Sequence, residues 1–210
     1  MFITLEGVEG SGKTTVAKEL SKMLIASGQD VICTREPGGN KISEAIRDVV
    51  LDKNNVGMDI RTEALLYAAA RSQHVADVIK PALEAKKIVI CDRFIDSSIA
   101  YQGFARGIGD KLVEEVNDFA IAGIRPDLTF LIDILPEIGL ERINKDKNLE
   151  MDRLDLEELS FHQAVYEGYQ LISEKEANRK RMRVVDGNRQ AAEIIAEIFE
   201  IIQAELANNA

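Results

Sequence analysis

Cysteine is scarce in this chain: Cys33 and Cys91 are the only two in 210 residues, too few for a disulfide framework, so a reducing, cytoplasmic setting is expected. Positive charge is also in deficit. Lys and Arg number 26 against 36 Asp and Glu, a net charge of −10, which argues against a nucleic-acid polymer or an anionic membrane as the main partner. No apolar run approaches the roughly 18 residues of a membrane span, and MFITLEGVEG at the start carries acid where a targeting peptide would carry base. Repeats, low-complexity tracts and Pro/Ser-rich linkers are missing too, so residues 1–210 read as one domain. What is present suffices for a core: 46% of residues are hydrophobic and 30% charged, a balance that excludes global disorder.

Short runs rich in β-branched residues alternate with helical periodicity. Strands are expected at Phe2–Glu6, Asp30–Thr34, Lys87–Asp92, Leu128–Ile134 and Arg183–Asp186. Helical patterns cover Lys13–Ser27, Lys41–Asp52, Arg61–Ile79, Lys111–Ala122, Glu137–Lys145, Leu154–Ala177 and Gln190–Ala207, with Pro81 expected to break or restart the third. Alternation of this kind predicts an α/β fold, an open five-stranded parallel sheet flanked by helices. Ligands on such sheets bind beyond the carboxyl ends of the strands.

The segment after the first strand is Gly7-Val8-Glu9-Gly10-Ser11-Gly12-Lys13-Thr14, which fits G-x-x-x-x-G-K-[ST]. Its glycines let consecutive backbone N–H groups curl around phosphate oxygens, at a helix N-terminus that adds partial positive charge. Lys13 suits the β- and γ-phosphates, and the Thr14 hydroxyl suits Mg²⁺. A nucleoside triphosphate is the expected ligand. Asn144-Lys145-Asp146-Lys147 falls short of the guanine-reading N-K-x-D and reads as a solvated charge run, which disfavours a GTPase. At the end of the third strand, Asp92 stands where a carboxylate can orient Mg²⁺-bound water, and Arg93 where a guanidinium can bridge donor and acceptor phosphates.

Together these residues resemble the thymidylate kinase family. The resemblance is carried by E-G-x-x-G-S-G-K-T-T at Glu6–Thr15, R-E-P-G-G at Arg35–Gly39 and R-T-E-A-L-L-Y-A-A-A-R at Arg61–Arg71. It continues through D-R-F-x-D-S-S-x-A-Y-Q-G at Asp92–Gly103, G-I-R-P-D-L-T at Gly123–Thr129 and D-R-L at Asp152–Leu154. The motifs follow the family's order along essentially the whole chain. The resemblance implies a P-loop nucleoside monophosphate kinase fold with a small lid at about 142–154, phosphorylation of dTMP to dTDP with ATP and Mg²⁺, and a homodimer. Other readings are another nucleoside monophosphate kinase or a binding module without turnover.

It further implies that Arg47 and Arg93 hold the acceptor phosphate, with Arg71, Ser98 and Gln102 around the thymine and Tyr67 stacked on it. Tyr101 is placed under the sugar, Glu9 toward the sugar or phosphate end, and Glu36 near the acceptor. Tyr67 and Arg71 share a helix face, while Leu65, Ala68, Ala69 and Ala76 are read as its apolar side. The phosphate loop contains no arginine, so a lid residue is expected to supply the basic group: Arg153 first, with Arg142, Lys145 and Lys147 as alternatives. Arg179-Lys180-Arg181 is read as a solvated helix end, and His74 and His162 are given no role. No general base is needed, because a monophosphate is largely dianionic at neutral pH.

Overall fold

The computed structural model describes residues 1–145, 152–175, 178 and 180–208. Five strands, β1 (Phe2–Glu6), β2 (Val31–Arg35), β3 (Ile88–Asp92), β4 (Leu128–Asp133) and β5 (Met182–Asp186), form one parallel sheet in the order β2-β3-β1-β4-β5. Strands β1 and β3 are buried along their entire length, which is why they read as mainly apolar runs that end in an acid, Glu6 and Asp92. Their pairing sets Leu5 beside Asp92. The residues that follow each strand therefore emerge side by side at the same edge. The crossovers place β2 and β3 on one side of β1 and β4 and β5 on the other, which opens a crevice at the carboxyl ends.

Helices α1 (Lys13–Ala26) and α9 (Ala191–Asn208) cover one face, packing Val16, Leu20, Leu24, Ile194, Ile198 and Ile202 onto the sheet. Across β1 and β4 the buried Thr4 and Thr129 hydroxyls satisfy one another at 2.8 Å. Helices α2 (Lys41–Leu51) and α3 (Ile60–His74) begin at side-chain caps: Asn40 accepts from the backbone N–H of Ile42 and Ser43, and Asp59 from that of Arg61. α1 begins at Gly12 with no side-chain cap, so its first N–H groups remain open toward the crevice.

α3 runs through a π-helical turn (Val75–Ile79) into α4 (Lys80–Glu84), so Pro81 restarts the helix at its first turn, where its missing N–H is harmless. The short α5 (Ile95–Ser98) and a second π-helical stretch (Ile99–Ala105) follow β3, then α6 (Asp110–Ile121), α7 (Pro136–Lys145) and α8 (Leu159–Glu174). The segment 95–105 is helical where the sequence pattern gave no element. The apolar side expected of α3 is a correction: only Ala68 of the four is buried, and Leu65 is 58% exposed. The buried side joins Ala68 and Ala70 to Glu63, Arg71 and His74, whose polar groups are compensated by partners from other elements.

The phosphate loop is seated on α7. A Cβ at Gly10 would lie 2.1 Å from the Gly139 carbonyl oxygen, and one at Gly139 would lie 2.0 Å from the Glu9 carbonyl oxygen. Both positions therefore need glycine for close backbone approach.

Candidate active site

A cavity of about 540 Å³ opens at the carboxyl edge of the sheet. Glu9, Gly10, Gly12, Lys13 and Thr14 line its donor end, and Arg35, Glu36, Arg47, Tyr67, Arg71, Ser98, Tyr101 and Gln102 its acceptor end, with Asp92 and Arg93 also at its wall. Gly7, Val8 and Ser11 complete the loop behind that wall. Among the described residues singled out from sequence, Arg153 and the alternative Lys145 are missing from the cavity wall.

At the donor end the Lys13 ammonium donates to the carbonyls of Gly7 (3.0 Å) and Val8 (2.8 Å) and to the Ser11 hydroxyl (3.0 Å). Burial, then the nearby Arg93 charge, lowers Lys13 to about 8. The Thr14 hydroxyl donates to Asp92 Oδ2 at 2.5 Å. A hydroxyl and a carboxylate side by side at a phosphate site form a hard-oxygen donor pair that fits Mg²⁺.

Arg93 stands at the junction of the two ends. Its φ of +70° is uncommon for a residue other than glycine and turns the chain sharply after β3. Its guanidinium pairs with Glu9 at 2.6 Å, donates to the Gly7 carbonyl at 3.0 Å, and lies over the Tyr101 ring. Tyr101 donates its hydroxyl to the other Glu9 oxygen at 2.8 Å. Burial pushes Glu9 up, but the Arg93 and Lys13 charges outweigh it and hold the carboxyl near about 2. Arg35 and Arg47 both donate to the Pro37 carbonyl, at 2.7 and 3.0 Å. Arg47 is pushed below its ordinary value, first by burial and then by the Arg35 charge, so an anion there is favoured.

The acceptor floor is a buried polar lattice. Arg71 donates from Nε to Glu36 (2.6 Å), from NH1 to Ser98 (2.8 Å) and Asn117, and from NH2 to the Phe94 carbonyl (3.0 Å). The second Glu36 oxygen meets His74 Nδ1 at 2.9 Å, and His74 Nε2 meets the Thr34 hydroxyl at 2.7 Å. Glu36 is thus an anchor for Arg71. His74, given no role from sequence, belongs to the same lattice. Tyr67 follows one helical turn before Arg71, half-buried against the cavity, and burial pushes its phenol well above the ordinary range.

Two readings need correction. Arg153 is 4% exposed, with Nε on the Val50 carbonyl (2.9 Å) and NH2 on Glu63 (2.6 Å). It is committed to the fold and does not face the phosphate loop. Arg142 is the lid-segment arginine that lines the cavity, with NH2 on the Gly187 carbonyl at 3.0 Å. Lys145 pairs on the surface with Glu141, and Lys147 lies outside the described residues, as does the 146–151 part of the expected lid. Arg181 is no solvated helix end: it pairs bidentately with the fully buried Asp96 at 2.7 and 2.8 Å. Arg179 lies outside the described residues.

Sequence reasoning also passed over Glu6. Buried beneath Arg93, it accepts from the Phe94 N–H (2.8 Å), Ser97 (2.6 Å) and Tyr169 (3.1 Å). Burial, then Asp96, raises it to about 7. An acid ending an otherwise apolar strand was the available signal.

Comparison with known proteins agrees with this architecture. The family model described as thymidylate kinase matches residues 5–198. A thymidylate kinase of Clostridium novyi is 55% identical over 94% of this chain and 95% of its own, and one of Bacillus pumilus is 48% identical over 100% and 98%. The crystal structure of thymidylate kinase from Ehrlichia chaffeensis superposes with a TM-score of 0.77 at 34% identity, covering 96% of this chain and 98% of that one. With the phosphate loop, the Asp92-Arg93 turn and the buried acceptor floor in one crevice, this chain belongs to the thymidylate kinase family.

Proposed function

We propose that this chain transfers the γ-phosphoryl group of ATP to dTMP, giving dTDP and ADP, with Mg²⁺ held at Thr14 and Asp92. The observation that carries this reading is the single cavity joining an arginine-free phosphate loop to a floor of Arg71, Tyr67, Ser98 and Gln102. The loop and the uncapped start of α1 bind the triphosphate, and Lys13 spreads positive charge over the oxygens of the moving group. Arg47 and Arg93 hold the acceptor phosphate in line, Glu9 fixes Arg93, and Tyr101 narrows the space at the sugar. Mg²⁺, held by Thr14 and Asp92, would neutralise part of the negative charge of the phosphates. The acceptor oxygen is already anionic, so positioning and charge stabilisation do the work. The chain is read as a single domain with its lid at about 142–154; of Arg142 and Arg153, Arg142 is the one that lines the cavity, and it is the lid arginine assigned to the donor phosphates.

A homodimer is part of the proposal. Leu112 and Phe119, seven residues apart on α6, are 53% and 89% exposed, and Leu65 of α3 is exposed beside a shallow groove that Leu112 also lines. An apolar stripe of that kind suits a second copy. Among the described residues no helix is long and apolar enough to cross a membrane.

A coupled ADP-release assay across dTMP, dUMP, dCMP, AMP and GMP tests the reading, with light scattering for the dimer. Fast turnover restricted to dTMP and, more weakly, dUMP is expected. Preference for a purine or cytosine nucleotide overturns the substrate assignment, and nucleotide binding without ADP release overturns the enzyme.

A further inference from the structure

Glu63 is the most heavily engaged carboxylate of the acceptor floor, yet it is absent from the cavity lining. It is 1% exposed and sits on α3, one turn before Tyr67 and two before Arg71. One oxygen accepts from Gln102 Nε2 at 3.0 Å and from Arg106 Nε at 3.2 Å; the other accepts from Arg106 NH2 at 3.1 Å and from Arg153 NH2 at 2.6 Å. Four donors occupy two oxygens. Burial pushes the carboxyl up, but hydrogen bonds from Arg106 and Gln102 outweigh it and hold it below the ordinary range. Glu63 is therefore an ionised group that can only accept.

That chemistry fixes the Gln102 amide. A carboxylate tolerates the NH₂ end and repels the carbonyl end, so Gln102 cannot flip while Glu63 is charged. Gln102 also lines the cavity, and with its NH₂ end on Glu63 the end left for a ligand is its carbonyl oxygen. Arg71, the other polar group of the floor, can only donate. The floor thus offers a donor and an acceptor in fixed places. A pyrimidine imide presents a ring N–H flanked by carbonyl groups and matches both. A 4-aminopyrimidine presents an unprotonated ring nitrogen and an amino group and matches neither.

We propose that Glu63 is a specificity-positioning residue, which locks the Gln102 carbonyl toward the base and so makes the pocket select the imide edge of thymine over the aminopyrimidine edge of cytosine. The inference rests on dTMP being the acceptor. Arg153, tied to the same carboxylate and to Val50, braces the device from the far side.

The test compares kcat/KM for dTMP with that for 5-methyl-dCMP, two acceptors that differ only on the base edge, in wild type, Glu63→Gln and Glu63→Asp. In Glu63→Gln the new amide can accept or donate, so Gln102 is freed to flip. KM for dTMP should rise about tenfold with kcat little changed, and the dTMP to 5-methyl-dCMP ratio should fall about tenfold. Glu63→Asp stays acceptor-only and should keep the wild-type ratio even with a lower Tm. Equal losses for both acceptors in Glu63→Gln, or a ratio lost equally in Glu63→Asp, overturn the proposal. Should Glu63→Gln not fold, the charge-balanced pair Glu63→Gln/Arg106→Met is read in the same way. A wild-type enzyme that fails to phosphorylate dTMP strikes the function itself; wild-type dTMP turnover with an unmoved ratio in Glu63→Gln strikes this inference alone.

Discussion

The two ends of the cavity are built on opposite principles. The donor end is nearly all backbone: glycines, an uncapped helix start and one ammonium, contributed by eight consecutive residues, Gly7–Thr14. The acceptor end is nearly all side chain, with Glu36, Glu63, Arg71, His74, Ser98, Gln102, Asn117 and Arg153 drawn from α2's flank, α3, the 95–105 segment, α6 and the far side of the lid. A triphosphate is recognised by many weak donors in a curve, which a short glycine loop supplies. A base is recognised by a few donors and acceptors that must not rotate, and immobilising them takes a buried lattice. Generic affinity is local in sequence; discrimination is not.

The sharpest way to break the donor end is Lys13→Ala. Turnover should fall by about 10³ or more with Tm and far-UV circular dichroism unchanged, because the side chain bonds mainly to its own loop. Near-normal turnover in the folded variant would move the charge stabilisation elsewhere. Next comes the contrast between two arginines of the lid segment. Arg142→Ala should lower kcat about 10²-fold with dTMP KM nearly constant. Arg153→Ala should leave Glu63 short of a partner, lower Tm and raise dTMP KM. Steady-state kinetics with thermal melts separate them, and the reverse pattern would restore Arg153 to the phosphates.

Arg71→Ala tests the acceptor end. It should raise dTMP KM about 10- to 100-fold and leave ATP KM within about twofold, while Glu36 loses its buried counter-charge and Tm drops. Equal rises for both substrates would mean that the two ends are not separable.

The smallest effects are in pH. Burial and the Arg93 charge lower Lys13 to about 8, so kcat/KM for ATP should decline as pH rises past that value, with the limb abolished in Lys13→Ala. Glu9 lies near about 2 against an ordinary 4.5. A lowered carboxylate contributes stability that is complete above about pH 4.5 and is lost as pH falls toward 2, so acid melts of Glu9→Gln should show a flatter decline than wild type.

This contrast also explains what could be read in advance. Strand β1 and the start of α1 fall at the expected residues, and the other strands lie within one residue at each end, because apolar runs and a glycine motif are local signals. The dTMP kinase assignment rested on motifs of the same contiguous kind. What escaped was long-range: Arg153 meets Glu63 across 90 residues and Arg181 meets Asp96 across 85. A lone charged residue looks solvated until its partner is known, and no periodicity announces the partner. The misread face of α3 has the same origin, since Glu63, Arg71 and His74 are inside only because other elements neutralise them. Glycine at 139 carried no signal in sequence, sitting mid-helix where it merely weakens propensity.

That glycine has an evolutionary consequence. Most tight contacts leave a lineage room to manoeuvre, since a bulkier residue on one side can be answered by a smaller one opposite. Where Gly10 meets Gly139, both sides already stand at the minimum that the genetic code provides. No smaller residue opposite can recover the space that a methyl group would take, so substitutions at either position should resist rescue by a compensating side chain. Screens for suppressors of Gly139→Ala should return backbone-shifting changes elsewhere in α7 or the loop, and none at position 10.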